Sequence, residues 1–359
     1  NMEPGILSDL LVNGVIAGLG SVLVFLPQIT ILFAFILLLE DSGYLPRAAF
    51  LLDNLMAKSG LSGRSFIPLL SSFACAVPAV MSARTINDPR ERLVTIAVAP
   101  LLTCSARLPV YALIIAAVIP NRTVGGIFNL QGLTLFILYL AGILSAALAA
   151  YIMKRLARMK GNVQQFPLLM ELPTFRTPNF KHIMTSLWDR VKAFLKRAGT
   201  IIFALAVVLW GLVSWPQPPA GATGAAIDYS LAGTLGHAIQ PLFAPLGFTW
   251  EMCIAMIPGI AAREVVVAAL GTVYAVSASS EDAVQNALIP IIHNNWGLPT
   301  AFAFLAWYVY APMCAATLTV IRRETKSTKN MLMITGYLFL MAYFAAFVVY
   351  QLSSRILSS

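Results

Sequence analysis

The sequence predicts an all-α integral membrane protein built from two inverted repeats. Each repeat has three spanning helices, one interfacial amphipathic helix and one re-entrant hairpin. Three observations lead there. The 359 residues are 59% hydrophobic and only 11% charged, with a mean hydropathy of +0.80, whereas soluble domains carry about 25% charged residues. Apolar runs of about 20 residues recur along the chain, a length suited to membrane helices rather than to the short alternating strands of a barrel. Two further apolar runs carry helix breakers in their middles, and the two halves of the chain place these elements in the same order. The net charge of +9 does not suggest nucleic acid, because Lys and Arg cluster at the ends of apolar runs, where they set orientation. No signal peptide is evident in "NMEPGILSDLL", which reads like a cut into a longer protein.

The full spans are expected over 18–40, 92–119, 131–153, 199–215, 299–321 and 331–352. The polar stretch opening at Lys154 and Arg155 holds ten basic residues through Arg197, and "RRETKSTK" at 322–329 adds more. Both are expected on the cytoplasmic side. The loops 120–130, 213–250 and 275–298 hold one basic residue, Arg122, and are expected outside. Full crossings by 65–81 and 250–275 would violate this charge pattern. The first contains Pro78 and the second Pro258 and Gly259, so both read as re-entrant hairpins broken at those residues. Amphipathic helices are expected at 44–58 and 229–244. This divides the chain into a first repeat at 1–153, a basic cytoplasmic linker at 154–198 and a second repeat at 199–359. An odd number of crossings per repeat makes the halves inverted. Inverted repeats with discontinuous helices are a transporter architecture.

Charged groups inside apolar runs are costly and mark function. Arg107 falls near the middle of 92–119, on the helical face expected to carry Cys104 and Tyr111. A nearby guanidinium favours a thiolate; a structural ion pair is the plainer role. Glu40 and Asp41 end the first span, as gating groups or simply as a solvated helix end. Arg263 and Glu264 follow the second hairpin break and either act there or neutralise each other. The four cysteines all lie in or beside apolar runs and suggest no disulfide framework. Cys75 is expected beside the first hairpin tip, where the alternative is a small buried packing residue. Cys104 and Cys314 occupy matching strings, "TCSARL" and "MCAATL". Thiols, methionines and a few carboxylates suit a soft or borderline divalent metal. Motifs for zinc proteases, serine hydrolases and P-loops are missing, so a transporter core rather than an enzyme is expected.

"LEDSGYLPRAAF", "CAVPAVMSART", "TCSARLPVYAL", "LLMELP", "AAREVVV" and the terminal "RRET" resemble the membrane region of the FeoB ferrous iron transporters, in order and over essentially the whole chain. The resemblance implies a multi-pass protein of the bacterial inner membrane that moves Fe²⁺ into the cytoplasm. It implies a cytoplasmic G domain, expected to lie outside this chain. GTP and Mg²⁺ would enter only through that domain, and no cofactor is expected in this chain. Small accessory proteins of the FeoA and FeoC type and a homo-oligomer are compatible partners, besides the lipid bilayer. The family's iron-path cysteines carry over to Cys75, Cys104 and Cys314. Since an all-thiolate cage would trap the ion, mixed coordination with help from Met or a carboxylate such as Glu264 is expected. Glu171 of "MELP" is expected to couple the linker to the G domain. Two alternatives remain: a nucleoside or other solute carrier on the same scaffold, and a non-transporting membrane anchor or sensor.

Overall fold

The computed structural model describes residues 16–58, 61–124, 128–158, 177–216, 229–263, 265–274 and 281–358. The described chain is almost entirely helical. Helix α1 (Ala17–Asp41) ends at Gly43, whose φ of 77° is left-handed and lets the chain turn into the amphipathic helix α2 (Tyr44–Lys58). Two short helices follow, α3 (Phe66–Ser72) and α4 (Ala76–Ser82), packed against each other as the first hairpin. Then come α5 (Pro89–Val98), α6 (Leu108–Val118) and the long α7 (Leu130–Arg158). A two-residue antiparallel ladder, Thr123–Val124 with Phe128–Asn129, closes the turn between α6 and α7, a small β element where only a loop was expected.

The linker supplies α8 (Phe180–Phe194), begun by the Asn179 side chain accepting from the His182 N–H. The second half runs through α9 (Thr200–Ser214), α10 (Leu231–Phe243), the hairpin helices α11 (Trp250–Ala261) and α12 (Val265–Val273), α13 (Glu281–Asn295), α14 (Leu298–Tyr310), α15 (Ala315–Thr325) and α16 (Thr328–Ser358). Helix α13 is a departure from expectation: 275–298 is not simply a loop. Its Leu288 and Ile292 are fully buried, and it packs on α6 and α12. Helices α10 and α11 bend away from each other by 108°.

Two expected spans are not continuous. The run 92–119 leaves helical geometry at Leu102–Cys104, and 299–321 does so at Ala311–Cys314. Prolines explain the second interruption directly: Pro312 has no N–H, and it holds Ala311 at an extended ψ of 136°. Pro100 and Pro109 flank the first. Both hairpins are present, yet their breaks lie elsewhere than at Pro78 and at Pro258 with Gly259. The first break is Phe73–Cys75. Pro78 is the third residue of α4, in a first turn whose N–H groups have no intrahelical partner anyway. Pro258 and Gly259 lie within α11, and the chain breaks after Ala261.

Burial separates the two kinds of span. In the most apolar windows of Pro89–Val118 and Leu298–Thr325, 67% and 61% of residues are buried in protein, against 17% and 22% for Leu130–Leu156 and Thr328–Ile356. Irregular backbone at membrane depth needs that cover, and the continuous helices can face lipid. The cores interleave the halves. One joins α6 of the first half to α11–α14 of the second. The other joins α4 and α5 to Ala316, Val320 and Ile321 of α15.

Candidate functional site

Four interrupted helices therefore carry four stretches of non-helical backbone among the described residues: 73–75, 102–104, 262–263 and 311–314. Cys75, Cys104 and Cys314 each stand in extended conformation as the residue immediately before a new helical turn. The expected helical face of Cys104, Arg107 and Tyr111 does not form, since Cys104 lies outside the helix that carries Tyr111. Sequence spacing misled here because the 3.6-residue repeat applies only to unbroken helix.

The breaks are tied to one another by side chains that satisfy released backbone groups. Arg263, 5% exposed, reaches from the second hairpin to the other broken segments. Its Nε donates to the Met313 carbonyl at 2.9 Å, Nη2 to the Ala311 carbonyl at 3.4 Å and Nη1 to Cys104 Sγ at 3.4 Å. Tyr308, one turn before the fourth break, donates its hydroxyl to the Arg263 carbonyl. Ser105 Oγ donates to the Ala74 carbonyl at 2.9 Å, joining the first and second breaks. Thr317 Oγ1 donates to Cys314 Sγ at 3.1 Å. Helix α7 can lie close over the second break because residue 142 is glycine. A Cβ there would stand 3.1 Å from the Leu101 carbonyl and 3.2 Å from Thr103 Oγ1.

Arg107 is fully buried and caps its own break. Nη1 donates to the carbonyls of Leu102 (3.1 Å) and Leu101 (3.4 Å), and Nη2 to that of Pro100 (3.0 Å). Among the described residues, backbone oxygens receive it. Glu40 and Asp41 pair with the linker: Glu40 accepts from Arg190 of α8 at 3.0 Å, and Asp41 from the Asn179 N–H at 2.6 Å. Cys75 and Cys314 are partly buried beside the same core. Glu264 and Glu171 lie outside the described residues, as does the "MELP" motif. Among the described residues, no three His, Cys, Asp or Glu side chains stand close enough together to hold a metal ion. Cys104 Sγ receives the Arg263 guanidinium and Cys314 Sγ the Thr317 hydroxyl.

Tyr308, Ser105, Thr317 and the carbonyls of Ala311 and Met313 were not singled out by the sequence. The prolines at 100, 109 and 312 were the available signal that both spans are broken and that carbonyls are released beside Cys104 and Cys314.

The arrangement of hairpins and broken spans has a counterpart among known families. The Gate family model, described as "Nucleoside recognition", matches residues 22–118 and 195–328. The chain belongs to the Gate family. Each Gate segment contains one hairpin and one broken span. Between them, residues 135–190 match a second model, "Ferrous iron transport protein B C terminus", and the chain is similar to the membrane region of FeoB. A protein of Leptospira interrogans named "Fe(2+) transporter FeoB" is 42% identical over 364 residues, covering 98% of this chain and 52% of that protein. Namesakes in Leptospira biflexa and Staphylococcus aureus are each 40% identical, over 98% and 96% of this chain and 52% and 49% of their own length. The chain spans about half the length of these relatives. No solved structure gives a significant match.

Proposed function

We propose that this Gate-family chain is the permease core of a ferrous iron transporter, moving Fe²⁺ across a bacterial inner membrane into the cytoplasm. The observation that carries the reading is the meeting of Cys104 Sγ with released carbonyls of another broken helix around one buried point. Sulfur and carbonyl oxygen together suit a borderline divalent ion. A site with few side-chain ligands binds weakly enough to release its cargo, as conduction requires. The names of the relatives agree with this cargo. Cys75 and Cys314, each at the start of a half-helix, would extend the path, with Glu264 as a carboxylate helper.

Two inverted repeats at 1–153 and 199–359 account for the interleaved packing: hairpin helix α4 lies on α15, and hairpin helix α12 lies on α6. In this reading Cys75 is reached from the cytoplasm and the second hairpin from outside. The 154–198 linker couples the core to a GTP-binding domain of the whole protein. A cavity of about 530 Å³ supports that role, since Arg190 of α8 and Met81 of the first hairpin share its walls. Accessory proteins and self-association would act on the whole protein.

The deciding experiment is uptake of radioactive Fe²⁺ into vesicles holding the whole protein, with and without its GTP-binding domain. Uptake that saturates and falls on replacing Cys104 is expected; none above empty vesicles refutes the proposal. The "Nucleoside recognition" description of the family favours one second reading, a nucleoside carrier. Labelled nucleoside uptake in the same vesicles tests it.

A further inference from the structure

The Arg263 guanidinium is a cation held against three acceptors that come from two different broken helices: Cys104 Sγ, the Ala311 carbonyl and the Met313 carbonyl. We propose that these three atoms form a cation-binding site of mixed sulfur and oxygen ligands, which Arg263 itself occupies in this conformation and yields to the transported ion. The inference rests on the transport reading above and adds to it the ligand set and the occupant.

The chemistry of the acceptors argues for it. A guanidinium donates through a planar fork and accepts nothing, so every atom that it gathers is an electron-rich ligand atom. Ala311 and Met313 lie in the fourth break; the Ala311 oxygen also accepts from the Met313 N–H at 2.8 Å, which leaves it a second lone pair for Arg263 or an ion. Released carbonyls at unwound helices are what membrane transporters offer to ions. Cys104 adds one soft ligand, and the site is 5–7% exposed at its Arg and Cys members. A divalent ion and a guanidinium cannot share these atoms at such distances without strong repulsion. Binding the ion must therefore move Arg263, and Arg263 belongs to the break between α11 and α12. Tyr308 fixes that break through the Arg263 carbonyl. Arg107, although also buried and cationic, differs: its three acceptors all precede it in the same broken span, so it serves as a cap for its own segment.

The test uses the whole protein in vesicles, with Cys75, Cys253 and Cys314 changed to Ser and any cysteines beyond this chain likewise replaced, so that Cys104 is the remaining thiol. The probe is the rate at which a small cationic methanethiosulfonate reagent modifies Cys104. Arg263 covers the sulfur and repels a cationic reagent, and it also favours the thiolate. Compared at equal thiolate fraction, Arg263→Gln should therefore raise this rate by about tenfold or more. Tyr308→Phe, which keeps the guanidinium but loosens its segment, should raise it severalfold. Fe²⁺ kept reduced should slow the reaction in both variants at lower concentration than in the parent. An unchanged rate in a well-folded Arg263→Gln protein overturns the proposal, and so does a raised rate that no divalent ion slows. Should Arg263→Gln fail to fold, Tyr308→Phe decides by the same two readouts. Protection by Mn²⁺ or Zn²⁺ in a protein that takes up no Fe²⁺ would keep the site and remove ferrous iron as its cargo.

Discussion

Arg190 on α8 donates to Glu40 at the end of α1 across 3.0 Å, joining the basic linker to the first helix of the membrane body. A second link, from the Asn179 N–H to Asp41, reinforces the junction at the start of the same linker helix. The pair is about half exposed, with side chains 39% and 51% accessible, so it contributes little to stability. Glu40 and Arg190 also line one cavity with Val77 and Met81 of the first hairpin.

Replacing Arg190 with Ala should therefore change thermal stability little, with a coupling energy to Glu40 of at most about 1 kcal/mol in a double-mutant cycle. GTP-stimulated Fe²⁺ uptake should fall while basal GTP hydrolysis persists. Full stimulation in Arg190→Ala and in Glu40→Gln would reduce the contact to a surface ion pair.

Arg107→Met should destabilise the protein by about 3–5 kcal/mol, because the three carbonyls of residues 100–102 would lose their buried donor. Arg107→Lys should recover only part of this, since an ammonium cannot span the carbonyls as the planar fork does. Thermal unfolding in detergent, followed by monodispersity on gel filtration, measures both. Wild-type stability for Arg107→Met would show that the break needs no cap.

Gly259→Ala tests the packing of the second hairpin. A Cβ there would lie 2.4 Å from Val266 Cγ2 and 2.9 Å from Met313 Cε. Overpacking of that kind costs about 1–3 kcal/mol, against a helix-propensity gain of about 1 kcal/mol. Gly132→Ala, whose Cβ meets nothing within 4 Å, is the control and should be neutral or stabilising. Equal melting temperatures for the two variants would contradict the close approach of α11 and α12.

Cys104→Ser should depress Fe²⁺ uptake severalfold with folding intact, whereas Cys253→Ser should leave transport near normal. Cys253 is 1% exposed within the core of α11 and its neighbours, and it makes no contact with the four breaks among the described hydrogen bonds. The initial rate of uptake at low Fe²⁺ separates them. Equal losses at the two positions would make Cys104 a packing residue as well.

The sequence by itself determined that this is a helical membrane protein and where most of its helices run. Hydrocarbon tolerates neither unpaired backbone nor scattered charge, so the apolar runs and their basic borders had to be written locally. Amphipathic α2 follows its expected range of 44–58, for a helix at an interface must display its two faces in its own residues. Proline was a less reliable guide. Pro27, Pro241 and Pro290 all lie inside continuous helices, while the first hairpin breaks at Cys75, three residues ahead of Pro78. Only the tertiary structure decided where helices could stop within the apolar runs. Arg107 caps residues 100–102 from within its own span, but the other three breaks are capped from a distance, 311–313 by Arg263, Ala74 by Ser105 and Arg263 by Tyr308. The site exists through contacts spanning from 31 to 159 residues of sequence. No local pattern encodes such contacts, because the energy that fixes each of these three breaks comes from a partner in another segment.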